Sequence, residues 1–260
     1  GKKYGGQIAS FDAVFSPRGE GGQPQPMFDR ETGAIDKAVA ASWVKYDITQ
    51  VVKANWKDLR EPLKNKVHVY MGTIDNHLLA LDMETGEEVW KVEIEDVDQC
   101  GCNITGAPLV VKDKVIVGVT GGDSAHRGYL NAFNAKTGRH AWRFWTIPEP
   151  GVEGNETWHG DSWRYGGGAT WMTGSYDADL NLLYWGVGNP AADFYGEDRK
   201  GDNLYTDSIV ALDPDTGELK WYHQEIPHDV WDLDAVSPPI LTMVKDKSGK
   251  MVKGVMHGGK

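Results

Sequence analysis

Cysteine is almost missing from this chain: only Cys100 and Cys102 stand in 260 residues. Two thiols alone are too few for a disulfide framework or a four-ligand zinc site, so both read as ordinary loop or strand residues. Among the histidines, none of His68, His126, His159, His223 and His228 pairs with another at metal spacing on a helix, which argues against a histidine zinc site. Long apolar runs are missing too. No stretch approaches the ~20 residues of a membrane span, and Gly1-Lys2-Lys3-Tyr4 is not followed by the apolar core of a signal peptide. Basic residues are the minority, 27 against 38 acidic ones, for a net charge of −11. That argues against nucleic acid, which needs a basic footprint. It suits a soluble protein or one that meets a basic partner.

What the chain has is glycine and a repeat. Its 32 glycines exceed the usual ~7%, as turn-rich β-structure requires. Ala80-Leu81-Asp82, Thr85-Gly86 and Trp90 recur at identical spacing as Ala132-Phe133-Asn134, Thr137-Gly138 and Trp142, and again as Ala211-Leu212-Asp213, Thr216-Gly217 and Trp221. An apolar run with partial alternation precedes each copy and reads as a strand. Asp or Asn then opens a turn by bonding nearby backbone, and Gly supplies the positive φ of the return. The next strand carries Trp, whose N–H needs a partner if buried. Repeated hairpins, each too small to bury its own face, imply stacked sheets. Radial repetition of small antiparallel sheets is a β-propeller.

The organisation along the chain is uneven. Residues 1–66 differ from the rest. Phe28-Asp29-Arg30-Glu31-Thr32-Gly33 imitates the repeat, but Lys37 takes the Trp position. Ser16 to Pro26 reads as loop, and apolar spacings of three and four predict a helix within Asp36–Leu63. Gly5 to Phe11 faintly resembles a stretch in bacterial esterases, without the G-x-S-x-G elbow that hydrolysis there needs. From Val67 strands are predicted: Val67–Gly72, Ala107–Val111 paired with Val115–Val119, and Leu182–Gly188. Trp90 to Trp142 is one blade at ~40–50 residues. Trp142 to Trp221 is one blade with a large insertion, or two with one Trp lost. The expectation is an all-β chain of about three to four blades over 67–260.

Candidate chemistry lies in loops. Asp232 and Asp234 are two apart, so on an extended segment both carboxylates face one side. Close carboxylates repel, which favours a shared proton or a cation between them. A hard cation takes oxygen ligands, and Asn189 and Asp123 are available to complete such a set. Each residue also has a plainer reading. Asp-x-Asp suits a solvated loop, Asn189-Pro190 and Gly121-Gly122-Asp123 suit turns, and Trp171 suits a core.

In combination, 67–241 resembles the quinoprotein alcohol dehydrogenases, the pyrroloquinoline quinone (PQQ) family that includes methanol dehydrogenases. The likeness is carried by the three repeats, Gly166-Gly167-Gly168-Ala169-Thr170-Trp171, Gly186-Val187-Gly188-Asn189-Pro190, Gly201-Asp202-Asn203-Leu204 and His228-Asp229-Val230-Trp231-Asp232. It implies an eight-bladed propeller with the quinone on its axis. Trp171 matches the ring on which the quinone stacks. Thr105 and Thr120 match positions that hydrogen-bond the quinone, with Gly121 and Gly122 beside them. Asn189 matches a metal ligand, and Asp123 stands where the family has a Glu, one methylene longer. Asp232 matches the catalytic base and a further ligand. Asp234 matches the extra carboxylate of the lanthanide-using branch, so the implied cation is Ca²⁺ or a lanthanide. Further implications are oxidation of a primary alcohol, a c-type cytochrome as electron acceptor and a periplasmic location.

The chain also departs from the family. An adjacent Cys-Cys pair is absent, because Cys100-Gly101-Cys102 is not adjacent and lies elsewhere in the pattern. A complete ring needs about twice this length at ~40–50 residues a blade, so the chain reads as part of a propeller or of a larger assembly. The alternative to an enzyme is a non-catalytic, partial propeller that binds protein partners.

Overall fold

In the computed structural model the described residues are 68–259. The helix expected within Asp36–Leu63 and the loop before it lie outside them. Among the described residues, His68–Asp82 and Glu88 onward form one compact unit. Its strands are β1 (His68–Gly72), β2 (His77–Asp82), β3 (Glu88–Glu93), β4 (Leu109–Val111), β5 (Lys114–Gly118), β6 (Tyr129–Asn134) and β7 (His140–Trp145). There follow β8 (Ser175–Asp177), β9 (Leu182–Val187), β10 (Ser208–Leu212), β11 (Leu219–Gln224), β12 (Ile240–Lys245) and β13 (Met251–Met256). All pairings between these strands are antiparallel. They give a three-stranded sheet β1–β3, two four-stranded meanders β4–β7 and β8–β11, and the hairpin β12–β13. These are blades of a partial β-propeller, in the number expected. The stretch from Trp142 to Trp221 is one blade with long connections, not two.

The repeat builds the same hairpin three times. Ala80 pairs with Trp90, Ala132 with Trp142 and Ala211 with Trp221. A small residue thus always faces the large ring. In each copy the register shifts just after that Ala, between Ala80 and Leu81, Ala132 and Phe133, Ala211 and Leu212. A bulge adds twist at that point. The turn follows the expected chemistry. Asn134 Oδ1 accepts from the backbone N–H of Lys136 and Thr137 and from the Thr137 hydroxyl. Asp213 Oδ1 accepts from the N–H of Asp215 and Thr216.

Glycine in the turn has a second role. Gly138 and Gly217 have φ of 69° and 76°. A Cβ on Gly138 would stand 2.9 Å from the Trp90 ring, and one on Gly217 would stand 2.6 Å from the Trp142 ring. Each indole therefore lies on the glycine of the next blade. Its Nε1–H donates to that same turn: Trp90 to the Ala135 carbonyl at 3.2 Å, Trp142 to the Pro214 carbonyl at 3.0 Å. The turn of one blade is the seat for the tryptophan of the blade before it.

The middle sheet is buried on both faces, and the period-two alternation of strands decides which residue goes where. Val115, Val117, Tyr129 and Phe133 pack toward Leu78, Tyr70 and Trp90 of the first sheet. Ile116, Leu130, Ala132 and Trp142 pack toward Leu183, Trp185, Val210 and Leu212 of the third. A near-continuous apolar run such as Val115–Val119 is what a doubly covered strand needs.

Candidate functional site

The Thr-Gly turns close one end of the sheets. At the other end lie longer connections: 119–128 between β5 and β6, 168–174 entering β8, 188–207 between β9 and β10, and 225–239 between β11 and β12. Residues 168–171 run as a strap through this end. On one side Thr170 N–H donates to the Val119 carbonyl at 2.9 Å. On the other, Gly188 N–H donates to the Ala169 carbonyl and Gly168 N–H to the Asn189 carbonyl, both at 2.8 Å. The Thr170 hydroxyl donates to the Tyr129 carbonyl and accepts from Val119 N–H, and Trp185 Nε1–H donates to the Thr170 carbonyl. Backbone approach is close enough that Gly167, with φ of 75°, would place a Cβ 2.6 Å from Ala191 N.

Trp171 ends the strap and is half-buried. Its carbonyl oxygen lies 2.5 Å from where a Cβ on Gly106 would be, which brings Thr105-Gly106 alongside. Thr105 is exposed. Thr120 is half-buried, and its hydroxyl is engaged with Asn103, donating to Oδ1 at 2.9 Å and accepting from N–H at 3.0 Å. Gly121 and Gly122 follow directly, and a Cβ on Gly122 would stand 3.2 Å from Ala169 Cβ.

The acids gather next to this strap. Asn189 is 3% exposed. Its Nδ2 donates to Asp193 Oδ1 at 2.9 Å. Its Oδ1 lies 3.9 Å from a Cβ position on Gly122, next to Asp123 in sequence. Asn189 N–H donates to Asp234 Oδ1 at 3.3 Å, and the same oxygen lies 2.7 Å from a Cβ position on Gly188. Burial, then the charge of Asp123 and later that of Asp232, push the Asp193 carboxyl above its ordinary value. Asp123, Asn189, Asp193, Asp232 and Asp234 thus come from three separate loops to one place. Such a gathering of like charge is what a bound cation relieves.

Two expectations are corrected here. Asp232 and Asp234 do not lie on an extended segment: their φ values are 57° and 51°. A fully buried Asp229 holds the turn instead, accepting from Trp231 N–H at 2.8 Å and from Leu233 N–H at 2.7 Å. Arg199 Nη2–H in turn donates to the Asp229 carbonyl at 2.6 Å. Second, Cys100 and Cys102 are not ordinary loop residues but form a disulfide, with Cα atoms 5.1 Å apart. The helix α1 (Val97–Cys100) ends in a left-handed Gly101, and that reversal lets side chains two apart meet.

Three residues escaped the sequence reading. Asp193 carried a signal, four positions after Asn189. Asp229 lies inside the His228–Asp232 motif, and its role as turn organiser depends on burial. Asp207 carried no signal. It is fully buried with neither carboxylate oxygen hydrogen-bonded. Burial, then the charges of Asp229 and Asp234, push its pKa up to about 8.

Comparisons with known proteins agree with the fold. Residues 91–260 match the family model for the PQQ-linked glucose/ethanol/alcohol dehydrogenase β-propeller domain. The chain is 42% identical over 203 residues to methanol dehydrogenase [cytochrome c] subunit 1 of Methylorubrum extorquens, covering 71% of this chain and 32% of that protein. It is 40% identical over 208 residues to the lanthanide-dependent methanol dehydrogenase of Methylacidiphilum fumariolicum, covering 73% and 34%. Among solved structures, a quinohaemoprotein alcohol dehydrogenase of Pseudomonas putida superposes with a TM-score of 0.71 at 40% identity, covering 75% of this chain and 30% of that one. A europium-containing methanol dehydrogenase gives 0.69 at 39%, covering 75% and 36%. The chain spans about a third of the length of these relatives.

Proposed function

Because the chain belongs to the β-propeller family of PQQ-linked glucose, ethanol and alcohol dehydrogenases, we propose that it supplies the cofactor and cation site for oxidising a primary alcohol to an aldehyde. The observation that carries this reading is the meeting of Asn189, Asp193 and Asp234 with the Gly122–Asp123 turn beside the Trp171 strap. A scaffold that only stacks blades has no use for that concentration of carboxylates.

The residues present fit both groups. Asp123, Asn189, Asp232 and Asp234 would hold a hard cation, since all offer carboxylate or amide oxygens. The amide of Asn189 is oriented for it: Nδ2 is committed to Asp193, which leaves Oδ1 as the ligand atom. Three carboxylates in that set suit a trivalent lanthanide better than Ca²⁺, because each added anion gains more from the higher charge. Trp171 would carry the quinone on its ring face in an offset aromatic contact. Thr105, Thr120, Gly121 and Gly122 would line its polar edge. When bound, the quinone supplies the hydride acceptor and the cation supplies the Lewis acidity.

Asp232 then acts as general base, taking the hydroxyl proton of the alcohol at a carboxylate oxygen. Asp229 keeps that carboxylate in place by fixing the backbone on both sides of it. Asn103 orients the Thr120 hydroxyl, and the strap hydrogen bonds hold Trp171 against Gly106. A c-type cytochrome in the periplasm is the proposed electron acceptor, consistent with the cytochrome c in the name of the Methylorubrum relative.

The test is a titration of the folded chain with PQQ in the presence of Ca²⁺ or La³⁺, read by quenching of indole fluorescence and by dye-linked oxidation of a primary alcohol. One-to-one binding that Trp171→Ala weakens is the expected result. No binding by the well-folded chain would favour a non-catalytic scaffold that binds protein.

A further inference from the structure

A second group of potential metal ligands sits beneath the Gly121 turn. Ligand atoms of Glu95, Cys102 and His126 all lie within 4.8 Å of one another. Around them several side-chain atoms are buried and lack hydrogen bonds. Glu95 Oε2 and His126 Nε2 are buried without hydrogen-bond partners, and so is Oδ1 of Asn76, which is 0% exposed. Asn76 points its other amide atom at the sulfurs, with Nδ2 3.3 Å from Cys102 Sγ and 3.8 Å from Cys100 Sγ. Buried polar atoms left unmatched are costly, on the order of 1–3 kcal/mol each. Several converging at one point call for a ligand.

We propose that reduction of the Cys100–Cys102 disulfide opens a site for a borderline-soft divalent cation, with Zn²⁺ as reference ion, held by both sulfurs, the His126 imidazole and the Glu95 carboxylate. Two thiolates, an imidazole and a carboxylate are a donor set zinc accepts in tetrahedral geometry. That geometry needs ligand atoms ~3.4–3.8 Å apart, so the atoms of Glu95, Cys102 and His126 need close by only about 1 Å, while Cys100 Sγ swings away from Cys102 Sγ once their bond is reduced. The glycine between the two cysteines, with φ of 60°, gives the backbone the freedom for this.

The neighbours are suited to it. Burial is the main factor lowering the His126 pKa, which favours the neutral, ligating imidazole. Cys102 N–H donates to Cys100 Sγ at 3.0 Å, and Asn76 Nδ2–H donates to Cys102 Sγ. Both bonds strengthen when the sulfurs become thiolates. Arg143 lies 3.8 Å from Glu95 Oε2, close enough to compensate the excess negative charge of the loaded site.

The chemistry balances. An external dithiol gives two electrons and two protons to the S–S bond and is itself oxidised to a disulfide, leaving two protein thiols. The cation then displaces both thiol protons to solvent, and two metal–sulfur, one metal–nitrogen and one metal–oxygen bonds form. The disulfide and the metal-bound dithiolate are mutually exclusive, so the site is redox-gated.

The experiment compares the same chain reduced with a dithiol, desalted without oxygen, and oxidised. Zn²⁺ is titrated against a chromophoric chelator, and Co²⁺ serves as a spectroscopic substitute. Sulfur-to-cobalt charge transfer in the near ultraviolet is a signature that the oxygen ligands near Asn189 cannot give. The expected result is one equivalent bound by the reduced chain with that band, and no band from the oxidised chain. Cys102→Ser should weaken the band, and Cys100→Ser combined with Cys102→Ser should abolish it. His126→Gln and Glu95→Gln should each weaken binding by at least the ~10–100-fold lost when a metal's supporting groups are removed. A reduced, folded chain without the band would overturn the proposal, as would affinity unchanged in both His126→Gln and Glu95→Gln. The reduced-against-oxidised comparison needs no substitution, so a variant that fails to fold does not remove the test.

Discussion

The two ends of the sheets are built on different principles. At the Thr-Gly end, two successive repeats are joined to the next by the same rule: the indole of Trp90 or Trp142 lies on the following glycine and donates to the following turn. At the opposite end nothing repeats. The 119–128, 168–174, 188–207 and 225–239 connections have different lengths, and they meet through a strap of backbone hydrogen bonds. The repeating end spends its residues on cohesion. The irregular end gathers carboxylates that repel one another, which the rest of the fold must tolerate. Stability and chemistry are thus separated along the strands, as expected when function sits on loops carried by a rigid scaffold.

The sharpest way to break this contrast is to cut one seat and leave another. Trp142 is 7% exposed and bonded to Pro214, whereas Trp221 is 40% exposed. Trp142→Ala should destabilise by ~3–5 kcal/mol, as large core truncations do. Trp221→Ala should cost roughly 1 kcal/mol. Chemical denaturation of both variants checks the pair, and equal losses would remove the cohesive role assigned to the repeat.

A finer version uses glycine. Gly217 and Gly249 both have positive φ, but a Cβ on Gly217 meets the Trp142 ring whereas one on Gly249 meets nothing within 4 Å. Alanine at either site carries the left-handed penalty of ~1–2 kcal/mol. Gly217→Ala should exceed Gly249→Ala by a further ~1–3 kcal/mol from overpacking, measured as the difference in denaturation midpoint.

At the irregular end the corresponding probe is pH. Asp207 has a folded pKa of about 8 against ~3.9 for an unperturbed Asp. Between those values the folded chain holds the proton more tightly than the unfolded one, so this group's contribution to stability is fully present below about pH 4 and is lost as pH rises toward 8. Asp207→Asn should flatten that decline in Tm, while leaving Tm at low pH nearly unchanged.

Much of the repeating end was legible in the sequence because its information is local. Turn residues, the Ala facing Trp, and the alternation of Val115 to Val119 all lie within a strand or two. The seat itself, indole on glycine, was not legible, since Trp90 and Gly138 are brought together by tertiary structure. At the irregular end, residue types were readable and conformation was not. Asp232 and Asp234 looked extended, and they lie in left-handed turns that Asp229 imposes from beneath. The cysteine pair was misread for a similar reason: only the reversal at Gly101 turns a C-x-C spacing into a disulfide. Asp207 left no trace, because a polar residue before a strand becomes unusual only once it is buried.

The central claim is that separate loops bring Asp123, Asn189, Asp232 and Asp234 around one cation beside Trp171. Terbium tests it directly, because a bound Tb³⁺ luminesces when a nearby indole absorbs. The expected result is one-to-one binding with sensitised emission that falls in Trp171→Phe, and affinity that drops at least ~10-fold in Asn189→Ala and again in Asp234→Ala. Sensitised binding that is indifferent to Asn189, Asp232 and Asp234 would contradict it.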